Sequence, residues 1–152
     1  MVMHLRALLL AALCGIAPAQ AADSAGIVKR VQGTVMLQRA GQSAPATPVT
    51  PGTAVQVGDR LVTSADGAVG LTMADDTLLT AGPGSTLVIS EFRFDSTTHE
   101  GSFLATLLQG TLSMVTGLIA RQAPQNVNVQ TRNAVMGVRG TEFIVDARGG
   151  GQ

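Results

Sequence analysis

Residues Ile27 to Arg39 read IVKRVQGTVMLQR, and apolar side chains return at alternate positions along much of the stretch. Ile27, Val31, Val35 and Leu37 share one face of an extended chain, while Arg30, Gln32, Thr34 and Gln38 share the other. A helix would bring its apolar residues back about every 3.6 positions, so this alternation predicts a half-buried strand. The same spacing recurs in Val55 and Val57, in Val69, Leu71 and Met73, and in Val127 and Val129. Turn formers separate these runs: Ala40-Gly41, Pro45 to Gly52, Gly58-Asp59, Asp66-Gly67, Asp75-Asp76 and Gly82-Pro83-Gly84. Short β-prone runs with frequent punctuation predict an all-β fold, a single β-rich domain built as a solenoid-like or roll-like stack of short strands.

The segment SFLATLLQGTLSMVTGLIARQ, Ser102 to Gln122, competes with that pattern because Phe103, Leu107 and Leu108 can line a helix face. Gly110, Gly117 and the threonines oppose a helix, so strands are expected there too. VQGTVM (Val31 to Met36) is echoed by LQGTLSM (Leu108 to Met114), and Gly140-Thr141 heads a third apolar run. A glycine at each point lets the backbone bend between strands, as the coils of a solenoid or the corners of a roll require.

The N-terminus reads MVMHLRALLLAALCGIAPAQAADS. A basic start with His4 and Arg6, an apolar run from Ala7 to Ala17, and Ala19-Gln20-Ala21 form the three-part pattern of a secretory signal peptide cleaved after Ala21. The run is shorter than the ~20 residues of a permanent span. Cys14 offers lipid attachment as the alternative, but bulky Leu13 beside it does not suit that processing. The expected layout is a signal peptide at 1–21, one β domain at 22–146 and a flexible Gly-rich tail at 147–152. The mature chain is then expected in the periplasm or secreted, without a membrane span.

Composition narrows the function classes. After Cys14 no cysteine remains, which removes disulfides and thiolate chemistry. The 10 basic residues are balanced by 10 acidic ones, without a basic run, whereas nucleic acid binding needs clustered Lys or Arg. His99 lies in the polar segment DSTTHEG without a nucleophile-elbow motif, which fits a solvated loop histidine. Asp59, Asp66, Asp75, Asp76 and Glu91 offer carboxylate pairs of the glycosidase type, yet the chain has no Trp or Tyr to stack sugars. No catalytic residue, cofactor or metal centre is assigned. Asp66, Asp75 and Asp76 stand as turn residues, with calcium-type oxygen ligation as the alternative.

The stretch NAVMGVRGTEFIV, Asn133 to Val145, has the look of a buried strand carrying Arg139 and Glu142. Buried charges need partners. The two lie on opposite faces of a regular strand, and a bulge at Gly140 would bring them together. The favoured expectation is a structural ion pair in which Arg139 reaches an earlier acidic turn at Asp59 or Asp75 and locks the last strand to the first half.

Taken in order, Gly58-Asp59-Arg60-Leu61, Thr63 to Ala68 (TSADGA), Gly82 to Ser85 (GPGS), Leu108 to Gly110 and Val138 to Phe143 (VRGTEF) resemble the FecR domain family over nearly the whole expected mature chain. Asp75-Asp76-Thr77 stands where the family usually has Asp-Gly-Ser, and Arg132-Asn133 replaces the familiar proline after VQT. The resemblance implies a β-rich, solenoid-like extracytoplasmic module. In the namesake regulators such a module lies on the periplasmic side of a transmembrane anti-sigma protein and relays the state of a siderophore receptor. The expected function is a non-enzymatic interaction module with an envelope protein as partner, its oligomeric state unspecified by sequence. The alternative is a stand-alone sensor of a small ligand or glycan coupled to a membrane signalling partner; a hydrolase ranks last.

Overall fold

The alternating stretch at Ile27 to Arg39 forms two strands, β1 (Gly26–Gln32) and β2 (Val35–Gln38), with a corner at Gly33-Thr34 between them. The expected inward face holds for Val35 and Leu37 and fails at Ile27, which is exposed while Val28 is buried. The cause is a break in register between Val28 and Arg30, where the extra residue reverses the alternation. A computed structural model describes residues 23–148; residues 1–22, which include the expected signal peptide, and residues 149–152 of the tail lie outside the described residues.

The chain continues through β3 (Thr47–Pro48), β4 (Ala54–Val55), β5 (Arg60–Thr63), β6 (Ala68–Met73), β7 (Leu78–Ala81), β8 (Thr86–Phe94), β9 (Gly101–Gln109) and β10 (Thr111–Val115). A short helix α1 (Leu118–Gln122) and a 3-10 turn at Pro124–Asn126 lead to β11 (Val127–Gln130), β12 (Val135–Gly137) and β13 (Glu142–Asp146). Six strands form a first sheet in the order β13-β10-β7-β6-β1-β4, and seven form a second in the order β12-β11-β9-β8-β5-β2-β3. The chain is all-β, as its alternation predicts. Even the segment from Ser102 lies in strands through Val115, with the helix confined to its last turn.

Most of the architecture is a stack of arches. The pairs β1/β2, β5/β6, β7/β8 and β9/β10 each place one strand in either sheet, and their inward side chains meet in one core that includes Leu61, Leu71, Leu87, Phe103 and Leu112. Successive arches pair antiparallel. A solenoid would pair its coils in parallel; among the described residues only β9 and β11 do so, after α1 has carried the chain from one sheet to the other. The fold is therefore a two-sheet stack of antiparallel arches and not a solenoid.

The corners of these four arches line up along one side of the stack and are joined by hydrogen bonds. The Ser64 N–H donates to Thr34 O (2.9 Å), the Gly84 N–H to Ser64 O (2.9 Å), and the Gly82 N–H to Thr111 O (3.0 Å). The Thr63 hydroxyl donates to Gly82 O (2.7 Å) and the Ser85 hydroxyl to Thr111 O (3.2 Å). The repeated Gly-Thr pairs thus mark passages between sheets: Gly33-Thr34, Gly110-Thr111 and Gly140-Thr141, with glycine φ values of 60°, 91° and 110°. At Gly110 both freedoms of glycine are used, since an added Cβ would lie 2.1 Å from Ser85 Oγ and 2.5 Å from Ser85 Cα.

Gly110→Ala is expected to lower stability by more than about 2 kcal/mol, because backbone as well as side chain must move. Gly41→Ala, at φ +66° with open space around it, should cost only about 1 kcal/mol. Urea unfolding of the two variants beside wild type checks this; equal midpoints would mean that the corner column is loose.

Candidate functional site

Among the described residues two carboxylates are fully buried, and both sit in segments away from the corner column. Asp59 lies in the turn that carries the chain from β4 in the first sheet to β5 in the second. Its Oδ2 accepts hydrogen bonds from the Arg39 guanidinium (2.5 Å) and from the Gln56 N–H (2.8 Å), and Arg39 also donates to Ala54 O (3.0 Å). The ion pair ties the end of β2 to the β4–β5 connection.

Asp75 occupies the tight turn between β6 and β7 and anchors α1. Its Oδ2 accepts from the Thr77 hydroxyl (2.8 Å) and the Ile119 N–H (3.4 Å), and its backbone O accepts from the Leu118 N–H (2.7 Å). The Gly117 N–H donates to Thr77 Oγ1 (3.1 Å). Gly117 supplies no side-chain cap, so Asp75 caps the helix from another turn and satisfies N–H groups that a helix start leaves open. The approach is tight: a Cβ on Gly117 would lie 2.1 Å from Asp75 O. Thus fixed, α1 buries Ile119 in the core.

The other sequence candidates are dispersed. Asp66 accepts from the Ser64 hydroxyl (2.7 Å) in an exposed corner. Asp76 is exposed with φ 65°, at the position where the resemblance places glycine. Among the described residues no group of three or more His, Cys, Asp or Glu comes together to hold a metal ion. His99 sits on the β8–β9 hairpin, its ring stacked on Phe94 at 6.1 Å between centroids. Asp95 begins that turn, and the Thr98 and Thr97 backbone N–H groups lower its pKa.

Arg139 and Glu142 require a correction. NAVMGVRGTEFIV is not one buried strand: it bends at Gly140 and supplies β12 to the edge of one sheet and β13 to the edge of the other. Arg139 and Glu142 are both exposed, neither makes an ion pair among the described residues, and the partner of Asp59 is Arg39. The bend turns the charged side chains to solvent, where they need no buried partner. Arg39 was not legible as a partner because it closes the alternating stretch and meets Asp59 only through the fold. On β13 itself, Asp146 is held by Arg148, whose side-chain and then backbone hydrogen bonds lower its pKa to about 2.

A cleft of about 740 Å³ opens where β8 and β9 meet the end of α1, with Glu91, Phe94, Glu100, Ser102, Gln122 and Asn126 among its walls. The Ser102 hydroxyl donates to Glu91 (2.5 Å) and the Asn126 amide to Gly101 O (3.0 Å), so the cleft presents fixed polar groups beside one aromatic ring. On the outer face of the first sheet a row runs across five strands, Ile27, Thr72, Leu78, Val115 and Glu142, placed by direct strand register. Ile27, Leu78 and Val115 are exposed there.

The family model described as FecR protein matches residues 59–152, from the buried Asp59 onward. The chain belongs to the FecR family. No curated protein and no solved structure matches it. The FecR family is one of cell-surface signalling regulators, associated with the cell envelope and acting with membrane signalling partners. Among the described residues no helix is long and apolar enough to cross a membrane.

Asp75→Ala should cost about 2–4 kcal/mol because it strands Thr77 and the start of α1, whereas Asp76→Gly should be neutral or stabilise by up to about 1 kcal/mol by relieving the left-handed residue. Chemical denaturation measures both, and a harmless Asp75→Ala would show that α1 is held by packing alone. Arg39→Ala should cost about 2–3 kcal/mol, since it leaves Asp59 buried and uncompensated, while Arg139→Ala should stay within about 0.5 kcal/mol. The reverse ranking would restore Arg139 as the lock.

Proposed function

We propose that this FecR domain is a non-enzymatic interaction module of the bacterial envelope, periplasmic or secreted, that docks a signalling partner on the outer face of its first sheet. The observation that carries the proposal is the row in which exposed Leu78 and Val115 lie side by side and exposed Ile27 follows beyond Thr72. A solvent-facing sheet surface ordinarily carries polar residues, and contiguous apolar area there marks a contact surface. Family membership supplies the class of partner, a membrane signalling protein. Asp59 and Asp75, the two fully buried carboxylates, are occupied in fastening connections, which fits a scaffold whose charges serve its shape. The export signal expected at residues 1–21 supports the compartment.

A second proposal, sensing of a small polar ligand or glycan, is favoured by the cleft beside Phe94. Its volume lies within the ~300–1,000 Å³ of small-molecule sites, and its amide, hydroxyl and carboxylate groups suit hydroxyl-rich compounds.

Crosslinking in intact envelopes followed by affinity capture should recover one protein with the wild type and lose it with Leu78→Glu or Val115→Glu, both exposed substitutions that leave the core untouched. Undiminished capture by both variants would remove the row from the interface. A ligand panel in a thermal-shift assay tests the alternative, since ligand at about 100 times its Kd stabilises by about 2.7 kcal/mol.

A further inference from the structure

The two ends of the stacking axis are built differently. At one, the edge strands β3 and β4 are two residues long and β3 contains Pro48, which blunts both sheets against further pairing. At the other, β12 and β13 close the two sheets with longer edges, and they carry the most exposed large apolar side chains among the described residues, Val135 at 65% and Ile144 at 73%.

The hydrogen bonding of β13 shows what its free edge offers. The Thr116 N–H donates to Thr141 O and the Ala147 N–H to Gly110 O, both at 2.8 Å, so the odd-numbered residues face β10. Antiparallel alternation then turns the N–H and C=O groups of Glu142, Ile144 and Asp146 outward. Such an edge, unpaired among the described residues and without proline, is a template for another strand.

The geometry points to a second copy of this chain as that strand, with β13 pairing antiparallel to β13 of its partner about a two-fold axis at Ile144. The apolar positions of β13 are self-complementary in this register. Ile144 meets its own copy, and Phe143 meets Val145 on the core side, where Phe143 is only half-buried in the single chain. Glu142 comes opposite Asp146, and Arg148, 2.6 Å from Asp146, offsets one of these two like charges. The Asp146–Arg148 pair thereby gains a role beyond an exposed ion pair, which alone contributes little. Because the other end of the stack is blunted, the contact is isologous and stops at two chains without growing into a fibre. The paired first sheets keep their outer faces on one side, so the dimer presents two copies of the row proposed to dock a partner. The pairing itself does not depend on that docking.

Sedimentation and light scattering over a dilution series test the proposal. The purified wild-type protein should show twice the chain mass and dissociate on dilution. Ile144→Lys and Ile144→Pro should be monomeric at concentrations where wild type is dimeric, with unchanged circular dichroism, because the Ile144 N–H points away from β10. Glu142→Arg, which sets a cation opposite Asp146, should tighten the dimer, and Arg148→Glu, which removes the offsetting cation, should weaken it. A wild-type mass of one chain up to about 1 mM, or a dimer that survives Ile144→Pro, overturns the pairing. Envelope capture by a monomeric wild type would do the same while leaving the proposed function standing.

Discussion

The structure depends on how its backbone turns between sheets without leaving polar groups unpaired. Every corner of an arch carries N–H and C=O groups past the edge of the core, and a buried group without a partner costs a few kcal/mol. Here each corner is served by a neighbouring one: Thr34 O by Ser64, Ser64 O by Gly84, Gly82 O by Thr63, Thr111 O by Gly82 and Ser85. Short hydroxyl side chains fill this role because they both donate and accept within reach of a neighbouring backbone. Glycine fits where arches come closest. The result is a column that sets the spacing of the arches independently of their core side chains.

Away from that column, carboxylates replace hydroxyls. Asp59 and Asp75 each accept hydrogen bonds from a segment distant in sequence, the first from Arg39 and the second from the start of α1. Such sites tolerate little change, since removing either partner leaves a buried charge or an open helix end. They also divide the labour of the surface: the side chains left free for contact are the apolar row of the first sheet, the polar cleft beside Phe94 and the terminal edge.

Much of this was legible in the sequence and some was not, for local reasons. Alternation identified the strands because burial on one face of a sheet imposes a period of two. The Gly-Thr echo identified points where the chain bends, since left-handed or crowded backbone favours glycine. Parity at Ile27 was not legible, because a bulge in β1 leaves no compositional mark. Arg139 was misplaced for a related reason: Val135 and Ile144 resemble core residues by type, and their exposure follows from lying on terminal strands. The pairing of Asp59 with Arg39, and the docking of Asp75 on α1, are tertiary facts that no spacing rule encodes. The buried acids could be marked as turn residues, but not as anchors.

The order of arches in the stack follows their order in the chain, from β1/β2 through β5/β6 and β7/β8 to β9/β10. No strand from the last third of the chain has to insert between strands of the first. Each new arch therefore docks against a surface that is already complete, and loop-closure entropy is met in small increments. A polypeptide delivered N-terminus first can build this domain as it emerges, one layer at a time. Only the parallel addition of β11 must wait, for it requires α1 to cross the end of the core before the final edge can form.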